Sequence, residues 1–433
     1  MSTLAHSSPA PGVDPARTRP DSQPAALSDD DIRTERRERR RRRSLSLLLV
    51  APLLAFIFFA FVAPIATMLY RSVYNPTIVE LIPQTLEQLS HWKDQPLPDH
   101  AAFNSMAIEL KQLAENRKAG TLAAAINRAY PGASSLVNAT ARKLRRAPDA
   151  ELATSGFERL QASDTRWTEP ELWRSIRAVG NVYTDTHYLT ALDLERNAQG
   201  EVQQRESARI YLQLYAKTLG MALVITLLCT LLGYPLAYYL AHAPRRTANM
   251  LMVLVLLPFW TSLLVRTTAW IALLQTNGVI NSILESTGLI SQPLEILYNR
   301  YATIISMTHI LLPFMILPLY SVMRGIDPSY VRAALSMGSR PFSAFLRVYL
   351  PLTMPGLSAG ALLVFIISVG YYITPALVGG TDGQMISNII AFHMQQSNNW
   401  GLAAALGTLL LVLILTLYWI YDRLIGATNI KLG

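Results

Sequence analysis

Six apolar runs, each near the length that crosses a bilayer, constrain this chain more than any other feature. They cover about 44–70, 215–241, 249–274, 302–323, 356–378 and 402–421. Roughly 20 apolar residues in helical form span the hydrocarbon layer, and an open sheet would leave its edge groups unsatisfied there. Of the 433 residues, 51% are hydrophobic and only 15% charged, with the charges bunched between the runs. That is the composition of a membrane protein. The fold class expected is an all-α membrane protein of six transmembrane helices, with a mostly helical extracytoplasmic insert between the first and second.

The flanking charges orient the runs. Residues 1–43 lack apolar periodicity and read as a disordered cytoplasmic tail ending in Arg36-Arg37-Glu38-Arg39-Arg40-Arg41-Arg42-Arg43. The first run, 44–70, is too long for the core of a cleaved secretory signal and is expected to stay as a membrane helix. Its arginines belong in the cytoplasm, against anionic lipid headgroups. No aromatic residue interleaves them, so the formal net charge of +9 points to membrane orientation and not to nucleic acid. The sequence 242–246, the segment 324–355 and the tail 425–433 then also fall inside. The opposite loops, 276–300 and 379–399, carry Arg300 as their only basic residue. An even number of crossings places both termini in the cytoplasm.

Residues 71–212 are polar with mixed charge and form the insert. Asp99 is expected to start a helix running to Gly120, and Pro170 a helix stopped at Gly180. The basic sequence Arg142-Lys143-Leu144-Arg145-Arg146 is expected to be a solvated helix face. The five later runs make a membrane core over 213–424. Cys229, the single cysteine, sits in an apolar run and excludes an internal disulfide and a cysteine metal site.

Polar residues at membrane depth are costly, so each calls for a partner or a water-filled path. Arg266 in the third run is expected either to snorkel outward, to pair with Glu285 or Glu295, or to line a solute path. His309 is expected to be a hydrogen-bonded packing residue. Gly370-Tyr371-Tyr372-Ile373-Thr374-Pro375 combines glycine, two tyrosines, a hydroxyl and a proline late in the fifth run. With Trp260 and Arg266, the residues Tyr371, Tyr372 and Thr374 are the candidate lining of a translocation path; a plain packing cluster is the alternative. Tyrosine faces attract cations, and their hydroxyls bind polar solutes.

The polar island 324–355 separates the fourth and fifth runs. Asp327 suits an N-cap, Pro328 a first helical position, and Gly338 a left-handed stop. A short amphipathic helix from Pro328 to about Met337 follows, and a second from Pro341 to Tyr349 is expected to end at Leu350-Pro351. The island is either a basic loop packed on its own helices or a knob for a groove in a soluble partner.

Arg332-Ala333-Ala334, then three residues, Gly338, nine residues, and Val348-Tyr349-Leu350-Pro351 resembles the EAA loop of bacterial ABC-importer inner-membrane permeases. The spacing matches throughout; Arg332 stands where that pattern has Glu, and Val348 where it has Ile. Leu232-Gly233-Tyr234-Pro235-Leu236-Ala237-Tyr238, Leu257-Pro258-Phe259-Trp260 and Thr374-Pro375-Ala376-Leu377-Val378-Gly379-Gly380 support the same resemblance, most of all to the spermidine/putrescine branch. Tyr371 stands where that branch commonly carries an acid, and no Asp or Glu lies well inside any run.

The resemblance implies that Asp327, Arg332, Ala333, Ala334, Gly338, Leu350 and Pro351 form a coupling loop that seats on an ATPase subunit. It also implies a second related permease, a periplasmic solute-binding protein and a place in the bacterial inner membrane. No cofactor is expected on this chain: it has no Gly-x-x-x-x-Gly-Lys-Ser/Thr loop, so ATP would belong to the partner. Two other functional classes stand beside this one. A membrane-embedded enzyme needs a nucleophile, base or metal cluster at membrane depth, and no such motif is present. A scaffold or receptor would use the insert to bind an extracellular partner.

Overall fold

Apolar runs with no strand periodicity leave helix as the only regular structure, and the computed structural model is helical nearly throughout. It describes residues 48–74, 76–92, 96–196, 201–205 and 209–425. The expected N-terminal tail, its arginine run and most of the segment 425–433 lie outside the described residues. The chain divides into two compact units, 1–66 and 67–433. In the first, the helix α1 (Leu48–Val73) begins, with one π-helical turn at Phe58–Val62.

The insert opens the second unit. Besides the short helices Thr77–Leu81 and Thr186–Ala191, its helices are α2 (Pro83–Ser90), α3 (His100–Glu115), α4 (Ala119–Ala129), α5 (Ala133–Leu144), α6 (Asp149–Ser163) and α7 (Pro170–Val179). Pro170 stands in the first turn of α7 and Gly180 at its C-cap, as expected. Asp99 is the N-cap of α3, but that helix stops at Glu115, not at Gly120. Arg117 takes a left-handed φ of 58°, and the Lys118 amide closes on the Leu113 carbonyl at 2.8 Å, so Gly120 falls in the first turn of the next helix instead.

The insert has its own core. Phe103 and Trp173 lie 4.5 Å apart between ring centroids, and Trp167 and Trp173 5.8 Å. Neither indole leaves a buried donor unpaired: Trp173 donates to the Trp167 carbonyl at 2.8 Å, and Trp167 to the Thr140 hydroxyl at 3.0 Å. Glu109 is buried at the start of α2, where its carboxylate accepts the Gln84 amide at 2.7 Å and the Thr85 amide at 3.1 Å. A two-stranded antiparallel hairpin, β1 (Leu194–Arg196) with β2 (Val202–Gln204), closes the insert; the helical reading did not foresee it.

The remaining helices are α8 (Tyr211–His242), α9 (Arg245–Leu256), α10 (Leu263–Leu274), α11 (Val279–Ser286), α12 (Arg300–Gly325), α13 (Ser329–Ser336), α14 (Pro341–Gly370), α15 (Ile373–Val378), α16 (Ile386–Gln395) and α17 (Trp400–Ile425). Among the described residues five helices are long and apolar enough to cross a membrane; a sixth crossing exists only if the bent pair built on α9 and α10 is one span. Membrane helices have no hydrophobic drive to associate and pack instead through small residues. Gly356 and Gly360, one turn apart on α14, face α12: a Cβ on Gly356 would stand 2.9 Å from the Pro318 carbonyl oxygen, and one on Gly360 2.9 Å from the Met315 sulfur. Cys229 is buried between α8 and α12, beside the Thr308 carbonyl.

Two expected boundaries are corrected. The helix opening at Pro341 does not end at Leu350-Pro351 but continues to Gly370, so the fifth run starts well before residue 356. Pro351 has no amide to donate and its ring crowds the preceding turn. A π-helical turn over Phe345–Tyr349 widens the ladder just ahead of it, so the helix passes through. The same run then breaks at Tyr371-Tyr372, before α15, instead of continuing to residue 378.

Candidate functional sites: an exposed foot and two broken helices

At the foot, Arg324 donates to the Ala241 carbonyl at 2.9 Å and ties the end of α12 to the end of α8. Asp327 accepts the Ser329 amide at 2.8 Å. That bond, with the Ser329 hydroxyl after it, holds its carboxyl below the usual carboxylate range. The helix starts at Ser329 with Pro328 as its N-cap, one residue later than expected, and Asp327 stands just before the cap, its carboxylate on the first helical amide.

The stop of α13 follows from Gly338. At φ 88° it is left-handed, and the Ser339 amide reaches back to the Ala334 carbonyl at 3.1 Å. Ala334 is buried and Val331 packs on the core between α8, α12 and α14. The other faces stay open: Tyr330, Leu335, Met337 (82% exposed) and Phe342 (73% exposed) form an exposed apolar surface. Ala333 and Arg332 are exposed as well; among the described residues Arg332 makes no ion pair, though its charge helps hold the Asp327 carboxyl down. Leu350 and Pro351 do not close the loop; they lie within α14.

The third run is broken. After α9 the chain makes a 3₁₀ turn at Leu257–Trp260, extends at Thr261 and Ser262, and re-enters helix at α10; the two arms are bent by 99°. The Ser262 hydroxyl accepts the Val265 amide at 3.2 Å and caps the second arm. Arg266 folds back on the break, donating to the Pro258 carbonyl, to the Thr261 carbonyl at 3.0 Å and to the Thr261 hydroxyl at 3.4 Å. Its partners are two backbone carbonyls and a hydroxyl, not Glu285 or Glu295. His309 accepts the Trp270 indole N–H at 3.2 Å, which is the packing role expected.

The fifth run breaks at Tyr371-Tyr372. The Ser387 hydroxyl donates to the Tyr371 carbonyl at 2.7 Å, and the Asn388 amide to the Tyr372 carbonyl at 2.7 Å. Thr374, buried just past this break, lies 3.3 Å from the hydroxyl of Thr267, one residue beyond Arg266. The two interruptions thus meet through a pair of threonines. Trp260 stands apart: it is 74% exposed, and among the described residues no hydrogen bond or ring contact ties it to the others. Thr267, Ser387 and Asn388 escaped the reading of the sequence. A Ser-Asn pair in an otherwise apolar segment was the available signal.

Beyond the end of α15, Asp382 accepts from Arg300 at 2.8 and 3.2 Å, with Lys217 at 3.7 Å. The Arg300 guanidinium holds its carboxyl below the ordinary range.

The family model described as the binding-protein-dependent transport system inner membrane component matches residues 233–428, which takes in the foot and both breaks and leaves the insert outside. Over 220 residues the chain is 36% identical to the spermidine/putrescine transport system permease protein PotB of Escherichia coli K12, covering 50% of this chain and 80% of that one. PotB of Haemophilus influenzae is 40% identical over 174 residues, 40% of this chain and 61% of the relative. A crystal structure of a bacterial ABC transporter that imports the acidic polysaccharide alginate matches with a TM-score of 0.42 and 18% identity, over 52% of this chain and 81% of that one. A likeness that loose carries no weight for the sites.

Proposed function

Because the chain belongs to the family of binding-protein-dependent transport inner membrane components, as an ABC-importer permease of the spermidine/putrescine branch, we propose that its foot is the part driven by a separate ATPase subunit. The protein is a multi-pass inner membrane transport subunit and not an enzyme. ATP would bind and be hydrolysed on the partner, and the force would enter through α13. The observation that carries this reading is the exposed apolar surface of α13 and its flank, held by a buried Ala334 and a left-handed Gly338 between two membrane helices.

The solute in this reading is a polyamine or a similar small polar cation. Its route passes the paired interruptions, where Arg266, Tyr371, Tyr372 and Thr374 gather hydroxyls and aromatic faces, with Trp260 on the flank. Six crossings with both termini in the cytoplasm put the foot inside and the insert outside. A second related permease would complete the path, and a periplasmic binding protein would deliver the solute. Closure of the ATPases would rock the helix bundle and turn the path from one side to the other. The insert packs its own core, and its fold is consistent with an extracytoplasmic cap.

Uptake of labelled putrescine and spermidine tests the foot. Valine at 338 meets open space, since nothing lies within 4 Å of a Cβ there. Its only cost is a β-branched residue at positive φ, on the order of 1–3 kcal/mol, which unwinds the stop of α13. Gly338→Val is expected to insert normally and to lose uptake. Wild-type uptake by that variant would remove the coupling role.

A further inference from the structure

We infer that the insert carries a binding site for a phosphate-type oxyanion, built where the turn between α3 and α4 faces α5. A groove of about 380 Å³ opens there, which is in the range of small-ligand sites. Its lining charges are three arginines, Arg117, Arg142 and Arg145, and no carboxylate lines it. Among the described residues none of the three has a carboxylate partner; the nearby acids Glu115 and Asp149 are taken by Lys111, at 4.0 and 2.6 Å. Arg142 spends one donor on the Asn138 carbonyl at 3.2 Å, and the rest of its guanidinium is free for the groove.

The backbone adds donors of the same kind. The groove includes Ala119 and Gly120, the first two residues of an 11-residue helix, α4. Their amides have no acceptor among the described residues, because the turn through left-handed Arg117 directs the chain away from α3. Free amides at a helix start, with the helix dipole behind them, favour an anion. Ala114 and Ala141 line the groove with methyl groups, and Asn138, its one uncharged polar side chain, donates to the Ser134 carbonyl at 2.9 Å. Three guanidiniums and two free amides lining one groove offer the donors that an oxyanion with several acceptor oxygens takes, as a phosphate has. Arg142 and Arg145 also lie at the end of α5, where basic residues stabilise a helix by themselves. That structural role does not call for the α4 amides, and the test separates the two.

The site is independent of the transport reading, so its test needs no uptake assay. The full chain is placed in phosphatidylcholine nanodiscs and the binding of radiolabelled inorganic phosphate is measured by equilibrium dialysis. In a second arm, phosphatidylglycerol retained by the protein is quantified. Two variants remove the site in different ways. Arg142→Gln with Arg145→Gln deletes charge. Gly120→Asp puts a carboxylate at the α4 amides, where a new Cβ meets nothing within 4 Å and an acid suits the helix start, so the fold survives. Each loses charge-assisted bonds and is expected to lower binding by about tenfold or more. Arg146→Gln, next along the chain but outside the groove, is expected to bind as wild type. Phosphate binding in neutral lipid identifies a free oxyanion as the ligand; arginine-dependent retention of phosphatidylglycerol alone identifies a lipid headgroup. The proposal is overturned if neither probe binds, or if Gly120→Asp binds like wild type.

Discussion

Arg266 sets the clearest problem at the scale of single residues, because a guanidinium at membrane depth needs acceptors. The sequence made the residue conspicuous but not its partners. Carbonyls freed by a helix break have no side-chain signature, whereas Glu285 and Glu295 do. With three bonds to Pro258 and Thr261, Arg266 substitutes for the missing helical amides. Arg266→Gln shortens the reach and removes the charge, and a loss of about 1–3 kcal/mol is expected. A lowered melting temperature of the detergent-solubilised chain would register it; an unchanged one would mean the break holds itself. Gly338 was legible for the opposite reason: its left-handed φ is a property of the residue type, and spacing alone located it. Arg332 is exposed, and Asp327, the acid whose carboxyl its charge helps hold down, makes no ion pair with it among the described residues, so a closer counterpart would lie on the ATPase. Arg332→Glu is expected to weaken binding of the ATPase subunit, and an affinity equal to wild type would mean that no matched acid faces it.

Elements were legible where local chemistry decides them and obscure where tertiary contacts do. Pro170 and Gly180 bound α7 as read, since first-turn proline and C-cap glycine act within one turn. The passage of α14 through Pro351 was not legible, because it depends on a π-helical turn that relieves the proline and on the packing of Gly356 and Gly360 against α12. Glu109 shows the same limit in the insert. As one polar residue in an amphipathic helix it resembles a surface residue, yet it is buried at the start of α2. Burial pushes its carboxyl above the ordinary range, against hydrogen bonds from the Thr85 hydroxyl and from the Gln84 and Thr85 amides. The folded insert then binds this proton more tightly than the unfolded chain. Stability from this group is therefore greatest below the ordinary carboxylate value, about 4.3, and falls as pH rises from there through the raised one. Following the unfolding of the Trp167 and Trp173 core by fluorescence, the advantage of wild type over Glu109→Gln is expected to shrink between those values. An advantage that grows with pH would show that the hydrogen bonds outweigh burial.

For the whole molecule, the order of apolar runs revealed the class and most of the plan, and the spacing around Gly338 revealed the family. Hidden from the sequence were the 99° bend that makes the third run a broken one and the meeting of two breaks through Thr267 and Thr374. Both arise from contacts between distant segments. The plan has one feature on which the transport mechanism turns: α13 must face the cytoplasm and be free to touch an ATPase. Met337 is the place to measure this, being 82% exposed at the end of α13, while the native Cys229 is buried and gives little background. In cells carrying Met337→Cys with its transport partners, thiol cross-linking is expected to join position 337 to the ATPase subunit, while a membrane-impermeant thiol reagent added outside leaves it unlabelled. Labelling from outside, with no cross-link to the ATPase, would contradict the account.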